Sequence, residues 1–531
     1  MPSDCIPFRD TNYFSSFICD YLDEKHELKE FYHRFPKIEN FKSQFEDKQQ
    51  SYTKEHRKVL KDVLISQYKE INTSEETQEN ITLLAKDTTF TITTGHQLNL
   101  FTGPLYFLYK IVSTINLTRV LKDRHPEYNF VPVYWMATED HDFDEINYFN
   151  LFGKKIQWNH KDGGAVGVFD TEGLDKVFDI FSSEIGSGRN AERLKLLFKE
   201  AYLEHSNLAD ATRYLANELF RDQGLVIIDA NDRELKRLFI PYMEKELEMQ
   251  ISYDTVLPKA EKLSAKGYKV QVNPREINLF YLSEGLRERI IENNGAYSVN
   301  NTDISWTKSE ILKELSELPE RFSPNVMMRP LYQEVILPNL CYIGGGGELA
   351  YWLELKDYFD AVAVPFPILL LRNSVLIQTE KQADKIKKLK VANIELFLKQ
   401  HELINRKVRQ ISNIDINFNP QREHLKEQFK GMYELAEQTD VTFVNAVKAQ
   451  EVKQLKGLDV LEKRLLKAQR IKLSDQVKRL TEIQNELFPN QSLQERNTNF
   501  SEMYLEYGEQ LIPELIKQLN PLQGEFIIIK Q

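Results

Sequence analysis

The chain has 531 residues, 41% of them hydrophobic and 28% charged, with 31 Phe and 24 Tyr. At roughly 150 residues per domain this excludes a single small domain, and the apolar content excludes whole-chain disorder. With 69 basic residues against 80 acidic ones the net charge is -11, which argues against a broad grip on a phosphate backbone, so the expected partner is a small molecule and not nucleic acid. The 21 glycines and 19 prolines leave room for long helices. Cys5, Cys19 and Cys341 are odd in number and follow no metal-ligand spacing, which fits a reducing compartment. The amino-terminal MPSDCIPFRDTNYF carries charges where a signal peptide needs an apolar run, and no segment reaches the ~18 apolar residues of a membrane helix. The expectation is a soluble, cytoplasmic protein with no membrane partner.

In chain order, the first element predicted is a strand over 88–94 (TTFTITT), rich in β-branched residues. A helix opening at Pro104 follows, with Leu105, Leu108, Tyr109, Val112, Ile115 and Leu117 mostly three or four apart, and it ends before His125-Pro126. A second strand is predicted over 130–137 (FVPVYWMA), so that 88–137 forms a parallel βαβ unit. Further strands are predicted over 225–230 (LVIIDA) and 361–371 (AVAVPFPILLL), and the long stretches 153–224 and 232–330 read as insertions. The fold class is therefore α/β, a Rossmann-like core over 1–373. Beyond Ser374 only two Gly and one Pro occur up to Phe488, and apolar residues from Ile386 to Ile411 and from Leu455 to Leu487 step by three or four. Residues 374–531 read as a helical arm: an antiparallel hairpin or coiled coil turning near Asn417 to Pro420, with a terminal strand (EFIIIK) returning to the core. The apolar seam of the arm suits either an internal bundle or a homodimer.

Three loops carry the chemistry. TTGHQLNLFTGP (93–104) sits between a strand and a helix, where unpaired backbone N–H groups face a ligand. Gly95 and Gly103 let the backbone bend, and His96, Gln97 and Asn99 can bind a phosphate, a carboxylate or a sugar hydroxyl, although the same residues also suit a plain turn. The Gly-Lys-Ser/Thr ending of a P-loop is missing. The second loop, EDHDFDEIN (139–147), offers Glu139, Asp140, His141 and Asp142 to orient an amine, carry a proton or hold a divalent ion; alternatively Asp142 and Glu145 have the spacing of a helix cap. No second ligand set for a metal is visible. In the third, CYIGGGGELAYWLELK (341–356), the run Gly344, Gly345, Gly346 and Gly347 implies close backbone approach, and Glu348 and Tyr351 suit the amino group of an amino acid. No acidic residue follows at the ribose distance of about 20 residues, so a nicotinamide site is rejected. Arg329 and Arg372 adjoin predicted strands, and each could clamp a carboxylate or serve an ordinary salt bridge.

The motifs GHQLNLFTGPLY, WMATEDHDFDEIN and GGGGELAYW, in this order and spacing, resemble the cysteine-adding enzymes of bacillithiol synthesis, the cysteine ligases, over nearly the whole chain. The resemblance implies a Rossmann-like core with inserted connective segments, a carboxyl-terminal coiled coil that dimerises, and the joining of cysteine to the glucosamine amine of glucosaminyl malate. It also implies likeness to class I aminoacyl-tRNA synthetases and nucleotidyltransferases, with Gly95, His96 and Gln97 in the place that handles nucleotide phosphates. Amide formation from a free carboxylate is unfavourable in water, so a nucleotide, ATP or ADP, is expected, and the cysteine carboxyl is most simply activated by ATP as an adenylate or acyl phosphate. His96, Asp140, His141 and Asp142 are the expected catalytic residues. Gly95, Gln97, Asn99, Gly103, Glu139, Arg329, Gly344 to Glu348, Tyr351 and Arg372 are expected to bind substrate. A nucleotidyltransferase acting on another small acceptor, and a non-catalytic scaffold, are the rival readings.

Overall fold

The computed structural model describes residues 4–160 and 163–530. Five strands, β1 (Thr89–His96), β2 (Asn129–Met136), β3 (Val226–Asp229), β4 (Asn339–Gly344) and β5 (Ile368–Leu371), form one sheet in the order β5-β4-β1-β2-β3. Every neighbouring pair is parallel. All of β1 and all but the first residue of β2 are buried, which is why these segments read as unbroken runs without alternation. Helix α1 (Tyr106–Arg124) packs on both strands and stops at His125, as its periodicity predicts. Strand β5 is shorter than the apolar run that encodes it, because Pro365 and Pro367 have no N–H to give a ladder.

The insertions differ from each other. The first holds a hairpin (Tyr148–Leu151 with Lys154–Gln157) and three amphipathic helices. The second begins with α2 (Arg233–Met249) and carries a separate five-stranded antiparallel sheet that includes Leu279–Ser283, Leu286–Asn293 and Phe322–Pro324. Helix α3 (Arg329–Ile336) leads into β4, and α4 (Gly346–Trp352) leaves it.

The described residues form two compact units: the chain through Leu376 together with Leu493–Ile529, and Ile377–Ser492. The predicted terminal strand is present, and Glu525–Lys530 pairs antiparallel with Asp4–Pro7. In the second unit α5 (Asn419–Ala436) and α6 (Val441–Lys472) pack as a helical hairpin, followed by α7 (Ser474–Leu487). The helices do break at 412–418, between the helix Gln400–Ile411 and α5, but the hairpin of α5 and α6 reverses at 437–440, where the Asp440 side chain caps α6. Pro420 instead lies in the first turn of α5, where a missing N–H costs nothing.

The core side of the sheet is fixed by a fully buried ion pair. Lys48, on the helix Phe41–Ser51, donates to Glu334 Oε2 at 3.1 Å, with side-chain exposures of 1% and 0%. Gln333 and Asn339 donate to the other oxygen of Glu334, and Thr93 of β1 donates to Asn339. Lys48→Met leaves a buried carboxylate without its cation, and the expected cost is about 3–5 kcal/mol, read as a loss of stability in denaturant unfolding of the full chain.

Candidate active site

In this strand order the chain runs outward from β1 through β2 to β3 and then returns to β4 on the other side of β1. The crevice beyond the carboxyl ends of β1 and β4 is therefore the topological switch point, where open α/β sheets bind ligands. A cavity of about 870 Å³ lies there, lined from the ends of all five strands. Gly95, His96 and Gln97 come from β1, Glu139, Asp140 and His141 from β2, Ala230 from β3, Gly345 to Glu348 and Tyr351 from the β4–α4 segment, and Arg372 from β5. Arg329 of α3 completes this wall. Asn99 and Gly103 line a smaller adjoining cavity instead. Asp142 is exposed, lines neither cavity and makes no side-chain cap bond to the short helix after it, so the capping expectation is corrected. Gly344 lies inside, where a Cβ would stand 2.9 Å from the Tyr342 ring, and Gly347 is the glycine of the run with open space before it.

One edge of the cavity is acidic. Gln97 Nε2 donates to Asp140 Oδ2 and to Glu145 Oε2, each at 2.9 Å, and the His141 backbone N–H donates to Asp140 Oδ1 at 2.8 Å. Burial opposes charge on Asp140, but the hydrogen bonds from His141 and Gln97 outweigh it and hold the carboxyl well below its ordinary value. Glu139 differs: burial raises its pKa, even though Lys236 of α2 donates to it. Lys236, itself fully buried, also donates to the Phe322 carbonyl at 2.6 Å, and burial lowers its pKa. Arg287, from the antiparallel sheet, lies over the Phe280 ring and approaches His141 Nδ1 at 2.7 Å. A guanidinium only donates, so Nδ1 is the acceptor and His141 carries its proton on Nε2.

The opposite edge is cationic and aromatic. The Arg329 guanidinium sits within 6 Å of the Trp135, Tyr342 and Trp352 rings, and Nη1 bonds Gln333 at 3.1 Å. Among the described residues it has no carboxylate in salt-bridge contact. Arg372 does have one: Nη2 donates to Glu495 Oε1 at 2.8 Å, both side chains being buried. Its Nε is buried beside Gly345 without a partner among the described residues. Glu348, expected to receive a substrate ammonium, is occupied by the protein: Lys110 reaches Oε1 at 2.7 Å, Gly345 N–H the same oxygen at 3.1 Å, and Tyr342 hydroxyl Oε2 at 2.6 Å. Tyr351 lies near Arg329 Nη2. His96 is 7% exposed, and burial, then the Lys110 charge, lowers its pKa well below the ordinary value, so it is neutral at neutral pH. Its buried Nε2 has no partner among the described residues. Cys341 is completely buried and burial raises its thiol pKa, which leaves it an inert core residue.

Lys110, Lys236 and Arg287 were not singled out by the sequence motifs. Lys110 did leave a signal, being the one charged residue in the helical run Tyr106–Thr118, and Lys236 and Arg287 left none, since each reaches the site from an insertion.

These features define a class: a Rossmann-like α/β protein with a charged ligand cavity at its switch point. Residues 1–373 match the family model described as "Bacillithiol biosynthesis BshC, N-terminal Rossmann-like domain" and residues 375–531 that described as "Bacillithiol biosynthesis BshC, C-terminal coiled-coil domain". A relative from Christiangramia forsetii, named "Putative cysteine ligase BshC", is 63% identical over 100% of this chain and 99% of its own. Relatives of the same name from Flavobacterium johnsoniae and Flavobacterium psychrophilum are 60% and 58% identical, each over 100% of both chains. The chain belongs to the BshC family of bacillithiol biosynthesis.

A short connecting segment also borders the cavity. Gln271 and Val272 line it, and the Gln271 backbone N–H donates to Glu354 Oε1 at 2.8 Å. Glu354 is buried, its Oε2 has no partner among the described residues, and burial raises its pKa from an ordinary 4.5 to about 7. Between those two values the folded protein holds a proton that the unfolded chain has released, so this group lowers stability as pH rises from 4.5 to 7. Glu354→Gln should flatten that part of the stability profile and raise the melting temperature at pH 8 relative to the parent, measured by thermal unfolding across pH.

Proposed function

We propose that the chain is a cysteine ligase that joins L-cysteine to the amine of glucosaminyl malate in the cytoplasm. The observation that carries this reading is the polarity of the cavity: a carboxylate-free arginine in an aromatic cage on one side and acidic side chains on the other. Such a site matches a carboxyl donor and an amine acceptor. The name "Putative cysteine ligase BshC", shared by relatives up to 63% identical, supports the cysteine-ligase part of this reading.

In this reading Arg329 holds the cysteine carboxyl, with Tyr351 beside it. Asp140 stays ionised and anchors the acceptor ammonium. Glu139, with its raised pKa, is the better acceptor of the proton that the ammonium must lose before its nitrogen attacks the carboxyl carbon, and the second proton, shed as the amide forms, passes to the departing phosphate oxygen. The neutral His96 accepts a hydrogen bond from a hydroxyl or N–H, and Lys236 and Arg287 hold Glu139 and His141 in place. ATP supplies the leaving group that makes the carboxyl reactive. The unpartnered Arg372 Nε, Lys110 and the open face of Gly347 suit its phosphates.

The arm is assigned to homodimerisation. Met432, Leu435, Phe443, Val460 and Leu461 are exposed on α5 and α6, and Val460 and Leu461 line a mostly apolar groove of about 880 Å³ together with Leu425 and Leu458. Sedimentation should give the mass of two chains, and Val460→Lys with Leu461→Lys the mass of one.

Incubation of the purified chain with cysteine, glucosaminyl malate and ATP should give the cysteinyl amide together with nucleotide turnover, followed by mass spectrometry. Absence of amide overturns the reading, and amide without turnover overturns the role of ATP. Asp140→Ala and Glu139→Gln should each lower kcat/KM by about 10²-fold or more without unfolding the chain.

A further inference from the structure

The second cavity at the strand ends, about 310 Å³, joins the first along Gln97, Tyr106, Glu145 and Arg496, which line both. Its floor is Asn99 and Gly103: Gly103 has φ +63°, and a Cβ there would stand 2.7 Å from the Asn99 Cβ. Asn99 lines this cavity and is 7% exposed; its Nδ2 donates to the Glu145 carbonyl at 3.1 Å, and its buried Oδ1 has no partner among the described residues. Asn150, from the hairpin strand Tyr148–Leu151, and Asn497 line the far side.

This lining has a chemical bias. Carboxamides and a carboxylate offer donors and acceptors side by side, the pattern that vicinal hydroxyls match. Arg496 is the single cationic side chain of the annex and is paired with no carboxylate among the described residues. A phosphate chain would meet Glu145 with one arginine to offset it. A polyol with one anionic substituent fits better.

We propose that this annex is the sugar subsite for the acceptor, holding the pyranose ring among Asn99, Asn150 and Gln97, with Arg496 on its anionic substituent. The inference rests on the ligase reading above. In glucosaminyl malate the amine and the malyl group stand on adjacent ring carbons, so both leave the ring by one edge. The junction of the two cavities supplies a partner for each: the acidic pair bridged by Gln97 for the amine and Arg496 for the malyl carboxylates. The ring lies in the annex and the donor carboxyl in the main cavity, and the new bond forms between them. The annex thus selects the acceptor, while the main cavity selects the amino acid.

The test is calorimetric titration of the full chain with glucosaminyl malate, D-glucosamine and cysteine. Arg496 is exposed, so Arg496→Ala should fold as the parent does; it should weaken glucosaminyl malate by about tenfold or more, leaving D-glucosamine and cysteine unchanged. Asn150→Phe, which fills the annex, should weaken both amino sugars and spare cysteine. If the parent binds glucosaminyl malate and Arg496→Ala binds it equally well, the annex assignment is overturned while the ligase reading stands. If the parent binds cysteine but neither amino sugar, the ligase reading falls and the annex assignment with it.

Discussion

The cavity depends on one buried ammonium. Lys110 of α1 is 3% exposed and reaches two things at once: the Gly95 carbonyl at 2.6 Å, at the end of β1, and Glu348 at 2.7 Å, just beyond β4. Those strands are neighbours, but the segments that leave them diverge, and such a crevice has no backbone ladder to hold its lips at a fixed separation. A charge bonded to both sides does. Burial first, and then the nearby Arg372 and Arg329 charges, lower the Lys110 pKa, while Lys110 and Tyr342 keep Glu348 ionised against its own burial. Removing either partner leaves the other as an unpaired buried charge, which is why the pair rigidifies the mouth of the site so strongly.

The same economy explains how the carboxyl-terminal segment belongs to the core. Glu495 accepts from Arg372, from the Ser374 hydroxyl and from the Val375 N–H, all at 2.8–3.2 Å, so its carboxylate is fully satisfied without water. Asn499 donates to the Phe101 and Gly103 carbonyls, and Leu105 N–H donates to the Thr498 carbonyl. These bonds close around the β1–α1 loop, whose Phe101 and Thr102 both have positive φ and need outside support. Arg496 reaches the cavity because the residues on either side of it are pinned.

The parallel sheet was legible because strands buried on both faces must be apolar or β-branched throughout, and α1 because its periodicity is intact. The family could be read from three loops whose order is set by the strand ends. The limits were set by long-range contacts. Glu348 follows a glycine run, which makes a ligand contact the natural expectation, and nothing local reveals that Lys110, 238 positions earlier, takes its carboxylate. Arg287 and Lys236 enter from an insertion whose antiparallel sheet has no motif. The stretch near Asn417 to Pro420 separates two helices without reversing the hairpin, since Pro420 lies in the first turn of α5, where a proline starts a helix as readily as it stops one.

The glycine run itself takes a different meaning from this geometry. Four consecutive glycines are entropically costly to order, and a ligand is one way to account for them. Here none of the four has positive φ, so backbone conformation does not demand glycine. Space does. At Gly344 a Cβ would meet the Tyr342 ring and at Gly345 the Glu348 carboxylate at 3.2 Å, so these two are small because the Lys110–Glu348–Tyr342 cluster closes over them. At Gly346 the neighbour is Ile18 at 3.4 Å, an ordinary packing contact. Only Gly347 has nothing within 4 Å. The run therefore serves two purposes along its length: its first half makes room for the buried clamp that fixes the crevice, and its last residue leaves the crevice open.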